Sequence, residues 1–454
     1  MSTTPFDPNR VPLSEWAPGR PASKVGSTFW AIYDIALAGM AILVSTEVLN
    51  RFHGAIPPVV WLLTYGMTLV RIASAWRSFF DLLIRNLNYL AYPAVCASSV
   101  LWSVTPSTTL TASVQLLMTV IIAMVIGWRF SLLGIAIIQF IVIGFATALS
   151  LLNWATGIFG EVYSRTGALL GVYSQKNALG QRTLFMVLAG VTLLLTSARE
   201  FMPGLRRHAR YVWLAALVGI PPALLAIGLS ISVTSILMLP VVFGLMFLFC
   251  VRRLPQAFTF FGFAGILLAV SIAPLAFALA GLSVVDETLG AFGKTTSLTG
   301  RTDLWGIGFA VLEGRLGLGV GFQAFWKAPA FANYALLAQH YGSITALGFH
   351  NFILEVWVGT GLLGLAAMAL LLLTSITRAI RLLFATWSAS AAYAVVGSLL
   401  VIPLSLIGTS LYRQHEFLIM FVVMIGVSAG RELNALGAAR RPAQGSRQRS
   451  ARRT

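Results

Sequence analysis

The sequence predicts an all-α polytopic membrane protein of about twelve transmembrane helices, with a large extracytoplasmic loop between the ninth and tenth. Three observations predict it. Of 454 residues, 58% are hydrophobic and 10% charged, at a mean hydropathy of +0.85, which excludes a soluble globular protein. Apolar runs of roughly 20 residues, the length that crosses a hydrocarbon core of about 30 Å, recur from residue 27 to residue 430. The runs are separated by short connections, except for the stretch 282–348.

The expected spans are 27–49, 56–75, 87–104, 108–127, 130–152, 180–198, 211–229, 231–250, 258–281, 349–376, 387–409 and 413–430. Residues 1–26 carry prolines and charges with no apolar core of a signal peptide, so the first span is expected to act as its own insertion signal. With the N-terminus placed inside, Arg51, Arg165, Lys176, Arg182, Lys294, Arg301, Arg315, Lys327 and Arg413 fall outside, and the other 22 of the 31 Lys and Arg fall inside. This positive-inside bias fixes the expected orientation, with both termini cytoplasmic. It also accounts for most of the net charge of +17: the inner cations are topology signals and contacts for anionic lipid rather than a nucleic-acid surface.

The organisation that follows is a cytoplasmic tail at 1–26, spans one to nine over 27–281 with an external loop at 153–179, a large external loop at 282–348, spans ten to twelve over 349–430, and a basic cytoplasmic tail at 431–454 expected to be disordered. Outer loops of that size are uncommon unless functional. Within the spans ionisable residues are scarce. Asp34 is the clear case, either a proton site or a satisfied packing residue, with Glu47 and Arg71 nearer the interfaces. Cys96 in mid-span and Cys250 at the far end of another span suit neither a structural disulfide nor a catalytic thiol.

Polar and cationic residues gather in the outer loops. Arg301 and Trp305 are four apart, and a helix capped by Thr299 or Thr302 would carry Leu304, Ile307, Val311 and Leu312 on one face. Arg301 then stands at the helix start, where an anion is favoured, or bonds lipid headgroups as an interfacial arginine. The glycines at 314, 317, 319 and 321 allow close backbone approach, whether to a phosphate or simply in turns, and match neither a P-loop nor a dinucleotide fingerprint. His350 and Asn351 open the tenth span. A histidine there serves as general base, as donor to a phosphate or as an interfacial anchor, and His53, His340 and His415 also lie outside. Asn351 and Glu355 share a helical face. The other loop brings Lys176, Asn177 and Arg182, and Arg413, His415 and Glu416 open the last span. Four separate segments thus carry cations to the side that topology depletes of them. The external carboxylates Glu161, Asp286, Glu287, Asp303, Glu313, Glu355 and Glu416 are scattered, without metal-ligand spacing, and no serine sits in a nucleophile elbow.

At four of these segments, GVYSQKNALGQ (171–181), TGRTDLW (299–305) with its sequel GVGFQAFW (319–326), HNFILEVWVGTGLLGL (350–365) and LYRQHEF (411–417), the chain resembles the O-antigen ligase and O-antigen polymerase-like superfamily of bacterial envelope enzymes, and within it the exopolysaccharide-polymerase branch. The likeness covers roughly residues 100–430. It implies a GT-C-like glycosyltransferase architecture in the bacterial inner membrane with a periplasmic active site. The implied reaction moves glycan from an undecaprenyl-diphosphate-linked repeat unit to a hydroxyl of a second glycan, with inversion and without metal or cofactor. Flippase and chain-length regulator proteins are the implied partners. By resemblance, Arg301 holds the diphosphate, Lys176 and Arg182, with Asn177, hold the diphosphate or the adjoining sugar, His350 serves the acceptor hydroxyl, Asn351 holds His350 or a sugar, and Arg413, Trp305 and Glu355 complete the site. A departing diphosphate needs fixed cations where no metal is used, and arginine's planar fork suits it. Two other readings compete: a ligase that moves finished glycan to lipid A core or protein, and a lipid-linked oligosaccharide flippase or other transporter.

Overall fold

In the computed structural model the apolar runs become helices because no other element satisfies its own backbone inside hydrocarbon. The structure describes residues 24–198, 200–201, 203–250, 301–331, 348–406 and 411–439. The expected span 258–281, the loop residues Asp286, Glu287, Lys294 and His340, the first 23 residues and residues 440–454 lie outside these. The helices are α1 (Lys24–Ser45), α2 (Ile56–Ser74), α3 (Trp76–Arg85), α4 (Ala91–Ser98), α5 (Pro106–Arg129), α6 (Leu132–Thr156), α7 (Lys176–Leu195), α8 (Ala209–Ser230), α9 (Val233–Cys250), α10 (Arg301–Leu312), α11 (Phe352–Thr386), α12 (Ala389–Leu406) and α13 (Phe417–Ala439). Among the described residues nine helices are long and apolar enough to cross a membrane, and the apolar stretches Leu87–Leu101 and Val233–Phe249 are shorter. The protein is a multi-pass, all-α membrane protein.

Helices α7, α12 and α13 are the most enclosed, and α2 and α8 the least. Helix α13 packs along α5 and α11, and α7 along α6 and α8. Asp34, in α1, is a satisfied residue and not a lone intramembrane charge: its carboxylate takes Arg71 Nε at 2.7 Å and Arg129 Nε at 2.6 Å. The Arg71 guanidinium lies over the rings of Trp30 and Trp128, 4.9 and 5.3 Å from their centres. Cys96 is buried and free.

Several boundaries differ from expectation for identifiable reasons. The run 87–104 is not one continuous helix: α4 is flanked by 3-10 turns at Leu87–Leu90 and Ser99–Leu101. Tyr89 and Ser99 anchor these turns in the protein, while Leu87 and Leu101 face outward. A helix, α3, stands where a loop was expected; it exposes Trp76, Phe80 and Ile84 at i, i+4 and i+8, the pattern of a helix lying in a membrane interface. The last helix begins at Phe417 rather than 413 and runs to Ala439, into the expected disordered tail. The helix expected after Thr299 begins at Arg301 and buries Leu304, Val311 and Leu312 as the periodicity required.

The glycine-rich stretch docks on protein backbone. Helix α11 breaks at Gly361 (φ 68°, ψ −166°), and the freed backbone is met by residues 316–321. Val320 and Gly321 donate to the carbonyls of Val358 and Gly359, both at 2.8 Å, and Leu362 donates to Leu316 at 3.0 Å. A Cβ at Gly361 would stand 2.1 Å from the Gly317 oxygen, and one at Gly319 2.4 Å from the Val358 oxygen. These glycines exist for contact between two chain segments and not to cradle a phosphate. Gly361→Ala is expected to cost on the order of 3 kcal/mol, combining left-handed strain with a clash against backbone. Gly228→Ala, where an added Cβ meets nothing within 4 Å, is expected to leave stability unchanged or slightly raised. Thermal unfolding of the detergent-solubilised variants separates the two.

Candidate active site

The segments 301–331, 348–351 and 411–416 meet at one end of the bundle, and α7 is tied to the last of them through Arg182 and Glu416. Glu355, in the first turn of α11 and only 5% exposed, faces inward and joins three of them. Its carboxylate accepts the backbone N–H of Phe349, the indole N–H of Trp326 at 3.4 Å and the Tyr412 hydroxyl. Phe349 is held from its other side as well, since Trp305 Nε1 donates to its carbonyl at 2.8 Å. Asn351 caps α11, its side-chain oxygen accepting Ile353 N at 3.0 Å and Leu354 N at 3.4 Å. Between these two fixed neighbours His350 sits at φ 52°, a left-handed backbone that a non-glycine residue adopts only where its surroundings impose it.

The stretch 411–416 is pinned along its length. Arg413 Nε donates to the Tyr412 hydroxyl at 2.8 Å, and Tyr92 to the Tyr412 carbonyl at 3.4 Å. His415, also left-handed at φ 67°, stacks on Trp61 with ring centres 4.1 Å apart and meets the Tyr65 hydroxyl. Its backbone N–H reaches Thr119 Oγ1 at 3.1 Å, about 20 Å along α5 from that helix's start. Glu416 accepts Arg182 Nη2 at 3.2 Å, and this pair, 9% and 2% exposed at the side chain, ties the stretch to α7. Burial holds His415 low, at about 4, so its ring is neutral across the physiological range. Burial, with Glu47 alongside, pushes Glu416 up to about 8 against the pull of Arg182 and Arg413.

Two adjoining cavities open here. One, of about 420 Å³, is lined by Glu47, Trp61, Tyr65, His415 and Glu416 among others; the second, of about 310 Å³, is lined by hydroxyls, amides and Lys327. They share Gln115 and Gln414 as walls.

A family model described as O-antigen ligase matches residues 222–369, which takes in the segments at 301–326 and 350–365. Exopolysaccharide production protein ExoQ of Rhizobium meliloti (strain 1021) is 28% identical over 320 residues, covering 68% of this chain and 69% of the relative. Over these residues the chain is similar to the O-antigen ligase family and to an exopolysaccharide production protein.

The expected site residues take distinct places. Trp305, Asn351 and Glu355 form the frame of His350, each with its polar atoms engaged by protein. Arg182, expected among the substrate-binding cations, is buried instead, with Nη1 on Gln181 at 2.7 Å and Nη2 on Glu416. Arg301 opens α10, one turn before Trp305. Lys176 opens α7 and donates to Thr166 Oγ1 at 3.4 Å; beside it Asn177 is exposed. Six residues separate Lys176 from Arg182, about 9 Å of helix. Arg413 belongs to the frame through Tyr412. Sequence reasoning left His415, Glu47, Trp61, Tyr65, Gln115 and Gln414 out of the site. The segment LYRQHEF was the available signal for two of them; the others are single residues on apolar helices.

The Arg182–Glu416 pair yields an asymmetric prediction. An orphaned glutamate already raised by burial takes up a proton, whereas an orphaned arginine stays charged. Glu416→Leu is therefore expected to cost about 3–5 kcal/mol and Arg182→Met less, about 1–3 kcal/mol, with the double variant more stable than Glu416→Leu alone. Denaturation of the four proteins in one detergent measures the cycle.

Proposed function

We propose that this membrane enzyme is a polysaccharide polymerase. It takes glycan from an undecaprenyl-diphosphate-linked repeat unit and passes it to a hydroxyl of another glycan, at the periplasmic face of the bacterial inner membrane and with inversion. The observation that carries this reading is that segments far apart in sequence are joined through Glu355, Trp305, Tyr412 and the Arg182–Glu416 pair, and that Gln414 and Glu416 of the last segment line the adjoining cavities. The printed name of ExoQ supports exopolysaccharide as the product.

In this reading the acceptor oxygen attacks the anomeric carbon from the face opposite the diphosphate. The new C–O bond forms as the bond to the leaving phosphate oxygen breaks, the electron pair departs with undecaprenyl diphosphate, and the hydroxyl proton passes to His350 or to water. Arg301, Arg413 and Lys176 offset the charge growing on the diphosphate. Glu355 accepts three hydrogen bonds from protein, so it serves as a positioning group for His350 and not as the base. Arg182 positions the 411–416 stretch through Glu416.

Purified protein given a lipid-diphosphate oligosaccharide is expected to yield lengthened glycan and free lipid diphosphate. Transfer only to lipid A core or protein would identify a ligase, and recovery of unchanged donor on the other side of a vesicle a transporter. His350→Ala, Arg301→Ala and Arg413→Ala are each expected to lower turnover by about 10²–10³ while the proteins remain folded in the membrane; full turnover in all three would overturn the assignment.

A further inference from the structure

The smaller cavity has a chemistry of its own. One face of α5 contributes Ser107, Thr108, Thr111 and Gln115, at i, i+1, i+4 and i+8 and so within one arc of the helix. The glycine-rich segment contributes Gln323, and the 411–416 stretch contributes Gln414. These six groups are neutral hydroxyls and amides, in a chain that is 58% hydrophobic; Ala112 and one cation, Lys327, complete the lining. Among the described residues, Gln323 Nε2 and Gln414 Oε1 are buried atoms without a hydrogen-bond partner. One is a donor and the other an acceptor. A sugar hydroxyl, which gives one hydrogen bond and receives others, matches that pair; a phosphate, which only accepts, would meet Lys327 but leave the Gln414 oxygen unpaired, and an apolar chain, which does neither, would leave both unpaired.

The three carriers are also rigid with respect to one another. Phe322, next to Gln323, donates its N–H to Ser99 Oγ at 3.0 Å and accepts Thr109 Oγ1 at 2.9 Å, fixing Gln323 (φ 59°) over the start of α5. On the opposite wall, His415 N holds Gln414 against the same helix at Thr119. A ligand here needs little reorganisation of the protein, the condition under which a few hydrogen bonds give measurable affinity.

We infer that the Gln323–Gln414 cavity is a glycan subsite that binds a neutral sugar ring through its hydroxyls, and that it seats the acceptor end of the growing chain. The word acceptor rests on the polymerase reading; the subsite itself does not. None of the cationic residues assigned to the diphosphate lines it.

The experiment uses the full chain in lipid nanodiscs, with soluble oligosaccharides released by partial acid hydrolysis of the native host's surface polysaccharide as the probe. Saturation-transfer NMR and titration are expected to show binding by the wild type. Gln323→Leu is expected to weaken it about tenfold, and so is Thr111→Val, an exposed change that leaves the fold alone. Unaltered binding in both variants, or no glycan binding by a wild type that does lengthen lipid-linked donor, would overturn the subsite. A wild type that binds glycan with losses in both variants, yet never lengthens lipid-linked donor, would uphold the subsite and remove the polymerase reading.

Discussion

A single buried carboxylate holds the functional end of this protein together. Glu355 lies in the first turn of a membrane helix, where an unpaired charge is costly, and it is tolerated there because a backbone amide, an indole and a phenol converge on it. Those donors come from three chain segments, two of which are further tied by the Trp305 indole on the Phe349 carbonyl. The consequence reaches His350 through Phe349, whose amide is fixed by Glu355 and whose carbonyl is fixed by Trp305. With Asn351 committed to the helix cap, the histidine backbone has no freedom left, and its left-handed conformation is the local result. The carboxylate thus bears on His350 through geometry, by way of the Phe349 amide.

The second constraint is the descent of 411–416 between α2 and α5. Non-helical backbone at membrane depth has to be buried in protein or line a cavity, and this stretch does both. Its left-handed turn at His415 is clamped by the Trp61 ring, and Glu416 is clamped by Arg182. An ion pair of this kind contributes little net stability, since desolvation offsets attraction, but it penalises any arrangement that separates its members. Its value here is in fixing register between α7 and the loop before α13.

What the sequence made legible follows from which forces are local. Hydropathy reports transfer to lipid residue by residue, so the long spans could be read directly, and the 3.6-residue period placed Leu304, Val311 and Leu312 on the inner face of α10. Pairing is not local. Asp34 reads as a stray charge until Arg71 and Arg129, from two other helices, are seen on it. Arg182 reads as an external cation because its partner is 234 residues away. The glycines at 317, 319 and 321 signal close approach, but only the break at Gly361 says to what. The segment LYRQHEF stood out as a motif, yet its apolar sequel made it look like the top of a helix, and a positive φ at a histidine has no sequence signature. The interfacial helix α3 was legible by spacing and was passed over because ten residues are too few to span.

The balance of charge around the cavities narrows where a diphosphate can sit. The larger cavity is walled by Glu47 and Glu416, its histidine is neutral, and the nearest guanidinium, Arg182, is already compensated by Glu416. A pyrophosphate placed there would find no net positive charge in this wall, because Arg182 and Glu416 offset each other and Glu47 adds a carboxyl group. Arg301 at the start of α10 and Lys176 at the start of α7 stand instead at helix N-termini, where the dipole favours an anion. The acidic, aromatic lobe suits the opposite end of such a substrate: carboxylates accept from sugar hydroxyls, and Trp61, already stacked with His415, offers a flat apolar face.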